Sequence, residues 1–270
     1  MIHAGRWAIV MLSLLTTCGV RAQSSSEARR IVETMLAHEG DPAEHRNRYM
    51  YMSEERSDRT GGHLWVERVV ETAQGKVRLL MAEDGQPLSK ERQDRERVKL
   101  QQIAAHPDQF QKREQSMKND EQHAEEVLAL LNRAFLFDAP RPEGGDLRIE
   151  YRPDPAYQPK TMEEKVLHSM SGSLLVDART LQLHKVEGKI PADVSLGYGI
   201  LGTIHAGSSF STVHEMEPGG EWKNAMVNTA VEGKAMLFKE IGKNEHMVHS
   251  EFKRLSDNIS VAEAVALLVK

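Results

Sequence analysis

Gly172-Ser-Leu-Leu-Val-Asp177 and Leu181-Gln-Leu-His-Lys-Val-Glu-Gly-Lys-Ile190 open the stretch that decides the fold. Residues 199–214, 222–231, 234–241 and 246–255 continue it, each alternating apolar and polar side chains. Alternation with a period of two is the signature of strands with one buried and one wet face. Asp177-Ala-Arg-Thr, Pro218-Gly-Gly, Glu232-Gly and Gly242-Lys-Asn supply the turns between them. The expectation for 170–255 is therefore an antiparallel meander.

Upstream, the same character appears once more. Tyr49-Met-Tyr-Met52 begins a first strand, 63–71 a second and 76–83 a third, with tight turns at Gln74-Gly75 and Asp84-Gly85. A further strand covers 146–151, and a short helix is expected over 161–170. Between these halves lies a charged helical excursion at about 89–135. Ser89 caps a run with few apolar members (Val98, Leu100, Ile103), the middle near His106-Pro107 reads as open to disorder, and a helix over 121–134 carries the stripe Ala124, Val127, Leu128, Leu131 and Phe135. Opposite charges three and four residues apart support such a helix without a partner. Ser260-Val-Ala-Glu263 reads as a capping box for a terminal helix.

At the other end, Arg6 leads into Trp7-Ala-Ile-Val-Met-Leu-Ser-Leu-Leu15, and Val20-Arg21-Ala22 presents small residues at the cleavage positions. Residues 1–22 thus read as a secretory signal peptide, too short for a membrane span. Leu15-Thr-Thr-Cys18 admits a rival reading as a lipid-anchoring box, although Thr17 fits that motif poorly. Cys18 is the single cysteine of the 270 residues, so cleavage after Ala22 leaves none and removes disulfide and thiolate chemistry from consideration. Losing Arg6 and Arg21 takes the formal net charge from −5 to −7. A mildly acidic chain without a basic patch is a poor nucleic-acid partner. Residues 23–270 form a single expected domain. It starts with Ser24-Ser-Ser26 as caps and a helix whose stripe includes Ile31, Val32, Met35 and Leu36.

Motifs for chemistry are weak. Gly197-Tyr-Gly199-Ile-Leu-Gly202 spells a dinucleotide fingerprint, but the residues after it alternate like a strand rather than opening a helix. His246 and His249, three apart on a strand, face opposite sides. His214-Glu215 lacks a second histidine at zincin spacing, and His184, His205 and His214 would have to be aligned by three strands. Ser171 and Ser208-Ser209 lack a nucleophile elbow. Glu54-Glu55 and Glu163-Glu164 read as solvated edges. No metal, cofactor or catalytic group is assigned. What remains is an apolar face: Leu174, Val176, Ile200, Ile204, Phe210, Trp222, Met226, Met236 and Phe238 share even-numbered parity, and a curled sheet would place them on its concave side. Helices filling that concavity would explain the same residues as core.

Taken together, the leader, the first helix, the interrupted meander, Gly172-x-Leu174-x-Val176-Asp177 and Gly219-Gly-Glu-Trp222 resemble the outer-membrane lipoprotein-sorting (LolA-like) superfamily. That resemblance implies an α+β fold, a strongly curved antiparallel half-barrel with helices covering the concave side. It further implies periplasmic, non-catalytic binding of a lipid or acylated protein on the Leu174–Phe238 set, with Ile31, Val32, Met35 and Leu36 in a lid. Some relatives are envelope-stress sensors, so the alternative is a protein-interaction module acting through the charged excursion.

Overall fold

The computed structural model describes residues 13–39, 48–117, 130–197, 201–217, 219–235 and 239–270. It is an α+β structure built on one large antiparallel sheet. The strands are β1 (Tyr49–Arg56), β2 (Trp65–Thr72), β3 (Gly75–Glu83), β4 (Gln86–Pro87), β5 (Phe135–Phe137), β6 (Arg141–Glu143) and β7 (Asp146–Pro153). They continue with β8 (Ser171–Asp177), β9 (Leu183–Lys189), β10 (Val194–Leu196), β11 (Gly202–Ile204), β12 (Ser209–Met216), β13 (Trp222–Ala235) and β14 (Lys239–Arg254). The helices are α1 (Ser13–Glu39), α2 (Lys90–Ala105), α3 (Pro107–Met117), α4 (Met162–Leu167) and α5 (Val261–Leu268). Strand order runs β4-β3-β2-β1-β14-β13-β12-β9-β8-β7-β5, so the sheet is open, with β4 and β5 at its ends.

Local chemistry explains most of these elements. Asp84 and Gly85 both adopt positive φ (49° and 75°) between β3 and β4, the conformation a two-residue hairpin demands. Ser89 caps α2 by accepting the Arg92 amide, and Pro107 starts α3, where its missing N–H costs nothing. Ser260 and Glu263 form the reciprocal capping box of α5.

Register defines two faces, because directly paired residues share one. One row runs Ile149–Leu174–Val186–Thr212–Val227–Met247–Glu55, without a break across seven strands. The neighbouring row on the opposite face runs Glu150–Ser173–Glu187–Ser211–Asn228–His246–Arg56. Helix α1 lays Ala28, Ile31, Val32 and Met35 against Ile149, Leu174, Val176, Leu183 and Val186 on the first face, with Phe135 and Phe137 beside them. Burying each large apolar side chain there contributes on the order of 1.5–3 kcal/mol. Arg29 fastens the helix, donating to the carbonyls of Asn132 (2.5 Å) and Phe135 (3.3 Å).

The second core lies at the other end of the sheet. Leu100, Ile103, Phe110, Val261, Val265 and Leu268 pack on Val70 and Val77, with Met50 alongside. Met50 pairs with Val70 and shares the strand parity of Arg56, so this layer covers the opposite face. The helices are therefore divided between two faces at two ends. A single-sided cover, as the resemblance implies, would need all of them on one.

Other differences from the sequence reading have local causes. Ser24–Ser26 lie within α1 rather than capping it, because the helix runs on from the apolar leader. Excursion residues near His106 form a tight break between α2 and α3, and Glu114 ties α3 to the sheet by accepting the Lys76 amide at 3.0 Å. At Gly75 a Cβ would stand 2.3 Å from Glu114 Cγ, so only glycine admits this contact. The helix expected over 121–134 falls mostly outside the described residues. Residues 130–134 are helical, and Phe135 already belongs to β5. Residues 199–214 are not one strand: β11 and β12 are separated around Ala206-Gly207. Glu232-Gly and Gly242 are not turns either, since β13 and β14 pair through both, out to Ala235 and Lys239.

Candidate functional site

The histidines are dispersed. His184 Nδ1 lies 2.7 Å from Asp146, His205 Nδ1 3.4 Å from Asp193, and His214 Nδ1 3.8 Å from Glu39 at the end of α1. Each of the three rings has its own carboxylate partner, and no metal-binding cluster occurs among the described residues. Ser208 bonds to the backbone of Glu232 on β13, a structural role. Strand β11, not a helix, follows the glycine triplet at Gly202, so no helix N-terminus faces a pyrophosphate.

Glu55 is not a solvated edge. It is 5% exposed, and Glu67 beside it is 2% exposed. Arg59 joins them, with Nη2 2.5 Å from a carboxylate oxygen of each, and its guanidinium lies over the Trp65 ring. Burial would push the Glu55 carboxyl up, but hydrogen bonds from Arg59 and Ser57 outweigh it and hold the group below the ordinary carboxylate range. The cluster fixes the β1–β2 connection and leaves no free acid or base.

The even-numbered apolar set separates. Leu174 and Val176 are fully buried under α1. Ile204 belongs to another core with Met170, Ile190 and Val194, and Phe210 bridges the two. Trp222 packs its ring on His184 at 5.6 Å. Met226 is exposed. Its register partner is Val213, whereas Asn224 pairs with His214, so Ala225 is an extra residue that turns Met226 to the other face. The side chains of Ile200, Met236 and Phe238 lie outside the described residues. Of the expected lid residues, Ile31, Val32 and Met35 are buried in the α1 core and Leu36 lies at its edge.

An open groove of about 610 Å³ crosses β8, β9, β12, β13 and β14. That volume falls in the range of small-ligand sites. Five members of the polar register row line it: Glu187, Ser211, Asn228, His246 and Arg56. They are pre-oriented. His246 Nδ1 donates to the Asn228 carboxamide at 2.6 Å, and the Asn228 amide reaches Ser211 at 3.5 Å. Ser173 donates to Glu187 at 2.9 Å and itself accepts from Arg148. The Lys185 ammonium beside Glu187, together with that serine, holds its carboxyl below the usual range. Two residues further along the same strands, and on the same face, Val213, Met226 and Val248 form an apolar row. None of the three joins a core cluster among the described residues.

These groups supply hydrogen bonds and charge, not a nucleophile paired with a base. Of the residues the sequence reading assigned to a cavity, only Phe210 lines the groove and only Met226 belongs to the apolar row; Ser171, Ser209 and His246 of the lining were weighed there for other chemistry and set aside. The polar members were visible as wet-face positions, but nothing local told that seven strands would align them.

Comparison with known proteins found no matching family model, no similar curated protein and no similar solved structure.

Proposed function

We propose that the protein is an exported, non-catalytic binder of an amphiphile: a lipid or the acylated end of a polypeptide. The observation that carries this reading is the pair of register rows on one face. The apolar row Val213–Met226–Val248 would receive the acyl chain, and the polar row of the groove would receive the head. In this reading the sheet curves as a half-barrel with that face concave, and residues 1–22 direct the chain to the periplasm. Each methylene buried adds about 0.8 kcal/mol before ordering costs. Leu174 and Val176 take no part, since α1 already occupies their face. The charged excursion is the weaker alternative. Its α2 surface pairs charges within itself, as in Arg97–Asp94 and Lys99–Glu96.

The test is titration of the mature chain with a fluorescent long-chain acyl probe. Saturable binding that Met226→Asp and Val213→Asp each weaken at least tenfold, in folded protein, supports the reading. Absent binding, or binding indifferent to both substitutions, overturns it.

A further inference from the structure

A second cavity, of about 370 Å³, lies between β2, β3, α2 and the end of α5, away from the groove. Its lining includes Arg68 and Arg97 around Leu79, Met81 and Val269. Met81 and Val269 are 38% and 45% exposed, so the apolar wall is open to solvent. No carboxylate side chain lines it among the described residues. Arg97 shares its charge with Asp94 at 3.3 Å, one turn back on α2, where both are exposed.

We propose that this pocket binds an organic monoanion with a short apolar body, of the medium-chain alkyl carboxylate class. Charge complementarity selects the anion: two guanidinium forks can each take a carboxylate with paired hydrogen bonds. The apolar wall selects a tail, which inorganic anions lack. The volume suits a small ligand rather than a long acyl chain. This site shares no lining residue with the groove and is smaller than it.

Isothermal titration of the mature chain with decanoate, decanol and inorganic phosphate tests the assignment. Decanoate should bind saturably, with decanol and phosphate at least tenfold weaker. Arg68→Gln and Arg97→Gln should each weaken decanoate at least tenfold while the melting temperature holds. Met81→Glu, at an exposed position, should do the same should an arginine variant misfold. Because decanoate and decanol carry acyl chains that the groove is also proposed to take, each titration is made on Met226→Asp as the parent, in which the groove is disabled. On that background no binding of decanoate, equal binding of decanol, or indifference to the arginine and Met81 variants would overturn the proposal.

Discussion

Trp222 and Met226 stand four residues apart on β13 and face opposite sides of the sheet. Trp222 pairs with Met216 and Met226 with Val213, leaving Ala225 without a partner of its own in the register. One extra residue reverses every side chain beyond it. This bulge sends Trp222 toward His184 and presents Met226 to the open face. Deleting Ala225 forces one side of the strand into the wrong environment. The expected loss is about 2 kcal/mol or more, read from the urea midpoint, with circular dichroism confirming a folded variant. An unchanged midpoint would mean that the bulge does not separate the two environments.

The same substitution on the two faces should behave very differently. Leu174→Asp puts a carboxylate into a fully buried site under α1 and should cost more than 4 kcal/mol, enough to unfold a marginal domain. Met226→Asp changes an exposed position and should stay within about 0.5 kcal/mol of the parent. Thermal melts of the two variants check this, and similar losses in both would contradict the assignment of faces.

Arg59 is the shared counter-charge of Glu55 and Glu67. Arg59→Ala leaves two buried carboxylates, and the expected cost at neutral pH is about 2 kcal/mol, below the fully buried case because Arg59 is 35% exposed. The pH dependence follows from the depressed Glu55 carboxyl. Its contribution is present above the unfolded carboxylate value of about 4.3 and is lost as the pH falls through the lower folded value. In Arg59→Ala burial prevails, so the gap between variant and parent should narrow on acidification. Urea midpoints from pH 7 to pH 3 measure it.

His249 titrates in the opposite chemical sense but weakens the fold over a neighbouring range. Burial lowers its pKa to about 4, although its Nδ1 donates to the Asn224 carbonyl at 2.9 Å, and Lys76 and Arg78 add to the depression. Tyr51 packs on the ring at 4.8 Å, and Glu55 on the same face favours the charged form. The folded state therefore keeps the ring neutral. Its stability is full above the unfolded value of about 6.5 and declines as the pH drops toward 4. Ring resonances followed by NMR should show His249 titrating near pH 4, below the unfolded value of about 6.5.

The strands of 170–255 were legible because alternation is local. Their ends were less so, and the glycines show why. Gly233 reads as a turn residue in sequence, yet it lies inside β13, where a Cβ would come 2.5 Å from the Thr203 carbonyl of β11. It is glycine because a third strand approaches, and a window of ten residues does not contain that strand. The candidate site was less legible still. Ser173, Glu187, Ser211, Asn228 and His246 form one row only through four separate ladders, so their alignment is a property of register. Parity counting carried Leu174, Val176, Phe210 and Trp222 onto one face, but Ala225 broke it before Met226.

Native mass spectrometry of the mature protein, purified gently from the cell envelope and then extracted with organic solvent, tests the central claim most directly. The account predicts an adduct of lipid mass that disappears on extraction and fails to accumulate on a folded Met226→Asp variant. A protein that carries only its polypeptide mass, and that takes up no acyl probe when one is supplied, would contradict it.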